Sequence, residues 1–426
     1  MKKVIVSGLI LSAVASAAAE ELPIMGYSGF PHTAPNLEMR YREAKECGLT
    51  ALMQSFNTAA DAKKCLDMAE RAGIKLLLSN RKVFEADGSQ VAAEVKDHPA
   101  LMAYYVRDEP SVDDFDNLGR AVRAIQAVDA AHPSIVNWFG CVDRPQRWYH
   151  VPTFNEYIDQ FIAKVPTPIL SFDQYPVLNP GLFPTGTFRP ATGDCHMQTN
   201  WYQSLEALLG TSKKTGKPYW AFALSCALRH KPGNDYPIPT EGHLRLQQYS
   251  NLAYGAQGLW YYNYRASYKD PGRMFVQGHP IASDGRRATV YERMRRVNAE
   301  LQSRAFVFLG AKVGLVRHTG KQWPGFGTRL TGEFIPPYTT PLAAEDLPPW
   351  VKSLETPDGG AVVSRLTNGG KEYLVVVNRS PDKELTLKIA LAPGVKYVRY
   401  DGTVSDAALY TTEYWLDPGM AAIFQR

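Results

Sequence analysis

Two short runs place carboxylates beside aromatic residues: Tyr104-Tyr105-Val106-Arg107-Asp108-Glu109-Pro110 and Ser171-Phe172-Asp173-Gln174-Tyr175-Pro176. In the first, two carboxyl groups and an arginine occupy three consecutive positions. Crowding and loss of water raise the pKa of one such carboxyl, which a proton donor needs near neutral pH. The second run offers one carboxylate, Asp173, with a tyrosine two residues on. Two carboxyl groups flanking an acetal bond are the usual equipment for acid/base cleavage of that bond. Glu109 is the candidate acid, Asp173 the candidate nucleophile or base, and Glu241 a third candidate. Each also has a plainer reading. Asp108, Glu109 and Glu241 suit the first turn of a helix, where acidic side chains face the positive end of the dipole. Asp173 could orient a neighbour or hold a hydroxyl.

Aromatic and amide residues recur near these runs. Tyr27, Trp138, Tyr175, Trp260, Tyr261, Tyr262 and Tyr264 offer flat faces for the C–H side of a sugar ring and polar tips for its hydroxyls. Packing in a core is the alternative for about half of them. Alternation along a strand means that Tyr261 and Tyr262 face opposite ways. Asn80, Asn137 and Asn263 are polar groups at strand ends. The expected ligand-contacting set is Tyr27, Asn80, Arg107, Asp108, Asn137, Trp138, Tyr175 and Tyr262. His230 and His243 do not make an H-E-x-x-H or other metal spacing, so no metal is expected. No cofactor motif is found.

The elements that must hold these residues alternate in type. Strand-like segments fall at 22–28, 50–56, 74–78, 101–107, 134–139, 169–173, 219–225 and 259–262. Helical patterns fall at 36–47, 59–72, 112–131, 154–165, 201–215, 241–254 and 289–304. Apolar strands between amphipathic helices predict a parallel sheet covered by helices. Eight units predict a closed (β/α)₈ barrel, whose chemistry lies at the C-terminal ends of the strands, where Glu109 and Asp173 fall. An open doubly wound sheet is the runner-up. It is disfavoured because the first strand leads into Gly26-Tyr27-Ser28-Gly29, which is not a nucleotide-binding turn. Gly48 and Gly73 stand just past helix ends, Ser111 and Thr240 at helix starts. After residue 305 the pattern becomes short strands at 362–366, 372–378, 385–391, 396–400 and 421–424. Turn signals at Asn368-Gly369-Gly370 and Asp401-Gly402 separate some of them. The expected division is a signal segment over 1–19, a barrel over 20–305 and an all-β sandwich over 306–426.

Composition narrows the partners. The chain has 426 residues with a net charge of +5, falling to +3 once Lys2 and Lys3 are removed with the signal segment. The charge is scattered, which argues against nucleic acid. Residues 1–19 run basic, apolar, then small, the order of a cleaved export signal, with an apolar core too short to span a bilayer. The expectation is a soluble mature protein, secreted or periplasmic. Five cysteines, none in a C-x-x-C pair, predict mostly buried thiols.

The run 104–110 resembles the fourth-strand motif of clan-A glycoside hydrolases, the broad group with beta-galactosidase-like barrels, which ends in Asn-Glu-Pro or Asp-Glu-Pro. The stretch from Thr240-Glu241 through Ala253-Tyr254-Gly255-Ala256 to Gly258-Leu259-Trp260-Tyr261-Tyr262 resembles their passage from the seventh helix to the eighth strand. Asp284-Gly285-Arg286-Arg287 through Val297-Asn298-Ala299-Glu300-Leu301 is similar to their eighth helix, and a small β-sandwich behind the barrel is usual there. The resemblance implies a TIM-barrel glycosidase acting on an oligo- or polysaccharide, with Glu109 as acid/base. It also implies a nucleophile at the end of strand seven. Here that strand reads Tyr219-Trp220-Ala221-Phe222-Ala223-Leu224-Ser225-Cys226, without a carboxylate. Either Asp173 or Glu241 takes the role, or the barrel binds glycans without cleaving them. A phosphate-binding isomerase or aldolase is disfavoured because no Gly-rich phosphate loop follows strands seven or eight.

Overall fold

The computed structural model describes residues 21–142, 144–179, 195–198, 200–229, 235–266, 275–322, 334–335, 339–408 and 413–426. The segment 1–19 and His230 lie outside the described residues. Eight parallel strands hydrogen-bond in sequence order and close into a barrel. They are β1 (Ile24–Gly26), β2 (Ala51–Ser55), β3 (Lys75–Ser79), β4 (Leu101–Asp108), β5 (Ser134–Phe139), β6 (Leu170–Asp173), β7 (Tyr219–Leu224) and β8 (Gly258–Tyr262).

The strands are apolar on both faces because both are covered. Met25, Leu77, Ala103, Tyr105, Ile135, Phe222 and Trp260 fill the lumen. Leu52, Leu76, Leu78, Val106, Val136, Phe172 and Leu259 pack outward under the helices. Those helices are α1 (Leu37–Glu46), α2 (Ala59–Ala72), α3 (Arg81–Asp87), α4 (Ser89–Val95), α5 (Phe115–Val128), α6 (Pro145–Trp148), α7 (Phe154–Lys164), α8 (Asn200–Thr215), α9 (Glu241–Ala253) and α10 (Thr289–Ser303).

Local chemistry sets several of their ends. Thr58 and Asp61 exchange side-chain and backbone hydrogen bonds in a capping box, and Gly73 ends α2 at φ 70°. Thr240 caps α9 by accepting from His243 N at 3.2 Å. The connection from β3 to β4 differs from expectation, since it folds into α3 and α4. Asn80 explains α3: its Oδ1 accepts from Val83 N at 3.2 Å and its Nδ2 donates to Phe56 O at 2.8 Å.

Behind the barrel, two antiparallel sheets face each other. Their strands are β9 (Lys312–His318), β10 (Val351–Glu355), β11 (Ala361–Asn368), β12 (Lys371–Asn378), β13 (Leu385–Leu391), β14 (Lys396–Val398), β15 (Val404–Asp406), β16 (Glu413–Leu416) and β17 (Ala421–Gln425). One sheet has the order β9-β11-β12-β17-β14-β15 and the other β10-β13-β16. Leu354, Val363, Leu374, Val376, Leu387 and Phe424 form the core between them. Gly369 and Gly370 turn the β11–β12 hairpin at φ 55° and 76°, the sign that a two-residue primed turn requires. β9, β10, β15 and β16 add to the strands expected from sequence.

Buried polar contacts join the two units. Arg304, fully buried, donates to Arg399 O at 2.9 Å, to Ala421 O at 3.0 Å and to Tyr249 OH at 3.1 Å. All five cysteines are buried and free of disulfides. Among the described residues no helix is long and apolar enough to cross a membrane.

Candidate active site

Parallel strands in register put side chains of one level on the same face, and this builds the site. Asp108 of β4 sits opposite Asn137 of β5, and Asn137 sits opposite Ser171 of β6. The three form a row across the mouth of the barrel. Ser171 Oγ donates to Asn137 Oδ1 at 2.8 Å, which fixes the amide with its Nδ2 outward. That Nδ2 then bridges two carboxylates, reaching Asp108 Oδ1 at 3.1 Å and Asp173 Oδ1 at 2.9 Å.

Asp108 is held from three sides. Besides Asn137, it accepts from Tyr105 OH at 2.6 Å and from Tyr27 OH at 2.8 Å. Tyr105 points inward and Arg107 does not, because the pairing of β4 with β5 shifts between these two residues. Arg107 turns toward the helices and pairs with Glu85 at 2.6 Å and Asp114 at 3.2 Å. Its expected place at the ligand is therefore corrected: both ends of its guanidinium are already used.

Glu109 follows β4 in the left-handed region, at φ 45°, with its N–H donating to Asn137 O at 2.9 Å. A non-glycine residue there, and just before a proline, costs about 1–3 kcal/mol and persists only where its surroundings impose it. The turn brings the Glu109 carboxyl into hydrogen-bond contact with Asp173. Burial, followed by the charges of Asp173 and Asp108, holds the Glu109 carboxyl well above the usual carboxylate range. Burial and then Asp108 push Asp173 up to about 7, while hydrogen bonds from Tyr175, Asn137 and Glu109 pull it back down. The two shifts fit a single arrangement. Of the two carboxyls Glu109 is held toward its protonated form, where it can donate, and Asp173, with three hydrogen-bond donors on its ionised form, is the one more easily ionised.

Above the pair lies a cavity of about 510 Å³, lined by Glu109, Asp173, Gln174, Tyr175, Gln198 and Tyr236 among others. Asp108 is not in the lining and sits behind the pair. Tyr175 donates to Asp173 Oδ2 at 3.0 Å and lies against Tyr262, ring centroids 5.6 Å apart. Tyr262 in turn lies 5.4 Å from Tyr27, so Tyr175, which lines the cavity, is backed by two further tyrosines. Gln198 Nε2 donates to Tyr236 OH at 2.8 Å and to Tyr175 O at 3.1 Å, joining the loops above β6 and β7.

The structure thus brings together Tyr27, Asp108, Glu109, Asn137, Asp173, Tyr175 and Tyr262. It places the other expected residues elsewhere. Trp138 points out of the barrel and is fully buried, its ring 4.8 Å from Phe161 and 6.3 Å from Tyr157. Asn80 is occupied as the cap of α3. Glu241 begins α9, where its carboxylate pairs with Arg245 and Arg296 outside the cavity. The end of β7 is also committed: Leu224 N donates to Gln247 Oε1 at 2.9 Å, and Ser225 Oγ donates to the backbone at Tyr262 and Asn263.

Sequence reading missed Tyr105, Tyr236, Gln174, Gln198 and the loop residues Arg144, Arg147 and Trp148 of the lining. Tyr105 stood in the quoted run, and alternation with Asp108 across an ordinary strand would have turned it the wrong way. The loop residues carry no periodic signal.

No metal was expected. Among the described residues one group has suitable donor atoms within 4.8 Å of one another: Cys195, His243 and Asp382. It lies between barrel and sandwich, and hydrogen bonds already join it, His243 Nε2 to Asp382 Oδ1 at 2.9 Å and Cys195 N to Asp382 Oδ2 at 2.5 Å.

No family model matches the chain, and no curated protein does. Solved structures do match. A cold-adapted beta-galactosidase from Rahnella sp. R3 is 11% identical, with a TM-score of 0.56 over 96% of this chain and 99% of that one. A protein described as a glycoside hydrolase is 10% identical, with a TM-score of 0.54 over 95% and 92% of the two chains. The match to the beta-galactosidase from the psychrophilic Marinomonas ef1, 10% identical, spans 66% of this chain and 60% of that one, at a TM-score of 0.45. The likeness is one of fold, a parallel eight-stranded barrel followed by an all-β unit.

Proposed function

We propose that this barrel hydrolyses a glycosidic bond, with the Glu109–Asp173 pair as its acid and base. The observation that carries the reading is two neighbouring carboxyl groups, Glu109 and Asp173, lining one cavity large enough for sugar rings, with burial and neighbouring charge holding Glu109 toward its protonated form. Glu109 gives its proton to the leaving glycosidic oxygen as the C–O bond breaks. Asp173 either attacks the anomeric carbon or takes a proton from the attacking water. The two carboxyls touch, whereas glycosidase carboxyls that straddle a sugar stand roughly 5–5.5 Å apart in retaining enzymes and about 6.5–9.5 Å apart in inverting ones. Substrate entry must therefore break the Glu109–Asp173 hydrogen bond, and the proton it held passes to the substrate oxygen. Asn137 and Tyr175 keep Asp173 in place during this exchange, and Tyr175 and Tyr236, the tyrosines of the lining, supply aromatic surface for the ring.

The substrate would be an extracellular or periplasmic glycan, a location supported by the basic-apolar-small order of residues 1–19. N-terminal sequencing of the protein from its host checks it: a mature start near Ala18 or Glu20 is expected, and an intact Met1 on cytoplasmic protein overturns it.

A second reading is favoured by the end of β7, where Ser225 is tied to backbone carbonyls and no carboxylate stands. It is a barrel that binds glycans without cleaving them. Purified protein incubated with a panel of polysaccharides and aryl glycosides separates the two. New reducing ends, lost in Glu109→Gln, support hydrolysis. Saturable binding without product from the intact protein supports the second reading.

A further inference from the structure

The cavity wall formed by the loop after β5 differs in character from the side carrying Tyr175 and Tyr236. Arg144, Arg147 and Trp148 all line the cavity and all are exposed. The Arg147 guanidinium lies 5.3 Å from the Trp148 ring centroid, and Trp148 lies 5.6 Å from Phe139, another lining residue. Several arginines elsewhere in the fold are engaged by carboxylates, as Arg107, Arg245, Arg287 and Arg317 are, and others, such as Arg304, by backbone carbonyls. Neither Arg144 nor Arg147 makes an ion pair among the described residues, although acidic groups lie in the same cavity. Stacking on an indole uses the face of a guanidinium and leaves its N–H edge free to donate.

Charge in the lining points the same way. Glu109 is held toward its protonated form, so the two carboxyls of the described lining carry less than their full negative charge, against the two positive charges of the arginines. A neutral sugar gains only hydrogen bonds from two guanidinium groups that make no ion pair among the described residues. An anionic substituent gains an ion pair as well, because a planar fork of N–H donors matches a carboxylate or sulfate oxygen pair.

From this we propose that the glycan is anionic, carrying a carboxylate or sulfate ester that docks on Arg144 and Arg147 while its ring lies on Trp148. The inference rests on the glycosidase reading for its substrate but is tested by binding. The probes are matched pairs of oligosaccharides: oligogalacturonates against their methyl esters, and sulfated galacto-oligosaccharides against their desulfated forms. Calorimetry on Glu109→Gln protein reads the dissociation constants without turnover. At least one charged member should bind about tenfold tighter or more than its neutral partner, and added salt should erode the difference. Preference within the first pair identifies a carboxylate, and within the second a sulfate. Replacing both arginines (Arg144→Gln with Arg147→Gln) should abolish the preference and leave binding of the neutral member within about twofold. Circular dichroism and melting confirm that the double variant is folded. Equal binding of charged and neutral members, or binding of no charged member, overturns the proposal. A preference that survives the double substitution overturns it too. Hydrolysis is read separately, from product released by the wild-type protein. A protein that cleaves only the neutral members keeps the glycosidase reading and loses this one; one that binds the charged members but cleaves nothing does the reverse.

Discussion

Replacing Asp173 by asparagine should make the protein more stable at alkaline pH while abolishing turnover. The reasoning starts from the raised carboxyl of Asp173, at about 7 against an ordinary 3.8. A carboxyl raised on folding binds more protons in the native state than in the unfolded one between these two values. Stability from this group is therefore greatest at low pH and falls as pH rises toward 7. Holding that carboxyl ionised in the fold costs at most about 4 kcal/mol. Asparagine carries no charge and removes that penalty. It keeps an oxygen for Asn137 Nδ2, which now approaches at 2.9 Å, but it presents an NH₂ to Tyr175 and Glu109. One weakened hydrogen bond takes back about 1 kcal/mol. The expected net gain is about 1–3 kcal/mol at pH 8, shrinking to near zero at pH 4. Urea denaturation of both proteins at the two pH values measures it. A variant destabilised equally at pH 4 and pH 8 would show that Asp173 is not a strained, buried carboxylate, and the acid/base assignment would lose its footing.

The same pair sets a pH profile. Activity needs Asp173 ionised and Glu109 protonated, so the acid limb of kcat/KM should lie near 7, and Tyr175→Phe should move it upward by about one unit, because a donor to the ionised form is lost. A limb unmoved by Tyr175→Phe would detach Tyr175 from the titrating group. Trp138→Ala should cost about 3–5 kcal/mol in denaturation experiments, since the ring is fully buried between β5 and α7, yet leave kcat of the folded fraction unchanged. A large fall in kcat would return Trp138 to the site. Glu241→Gln should change kcat/KM by less than about twofold and stability by about 1 kcal/mol or less, because it breaks only partly exposed pairs with Arg245 and Arg296.

The barrel was legible because each of its strands is a short apolar run between amphipathic helices, and the observed strands fall within or beside the segments expected from sequence. The face presented by each strand was less legible. Where both faces are buried, composition does not distinguish inside from outside, so Trp138 reads as well toward the lumen as toward α7. The irregular pairing of β4 with β5 compounds this: it turns Arg107 out and Asp108 in against simple alternation. Glu109 and Asp173 stood out because carboxylates at strand ends are unusual, but their contact depends on the left-handed turn at Glu109, which no residue type there announces. Arg144, Arg147 and Trp148 were invisible as a set, because only the barrel's closure carries that loop to the cavity.

The most direct test of the account is the dependence of Glu109→Gln on the leaving group. Aryl glycosides of one sugar, chosen once a substrate is known, can span phenols from weakly to strongly acidic. The wild-type protein protonates the departing oxygen, so its kcat/KM should vary little along the series. Glutamine keeps the shape but holds no transferable proton, so the variant should lose about 10²–10⁴-fold on natural glycans and the least acidic phenols. The loss should shrink steadily toward the most acidic phenols, which depart unaided. Such a fan of rates places the proton on Glu109. A variant that loses the same factor with every leaving group, or that cleaves a natural glycan at the wild-type rate, contradicts the assignment.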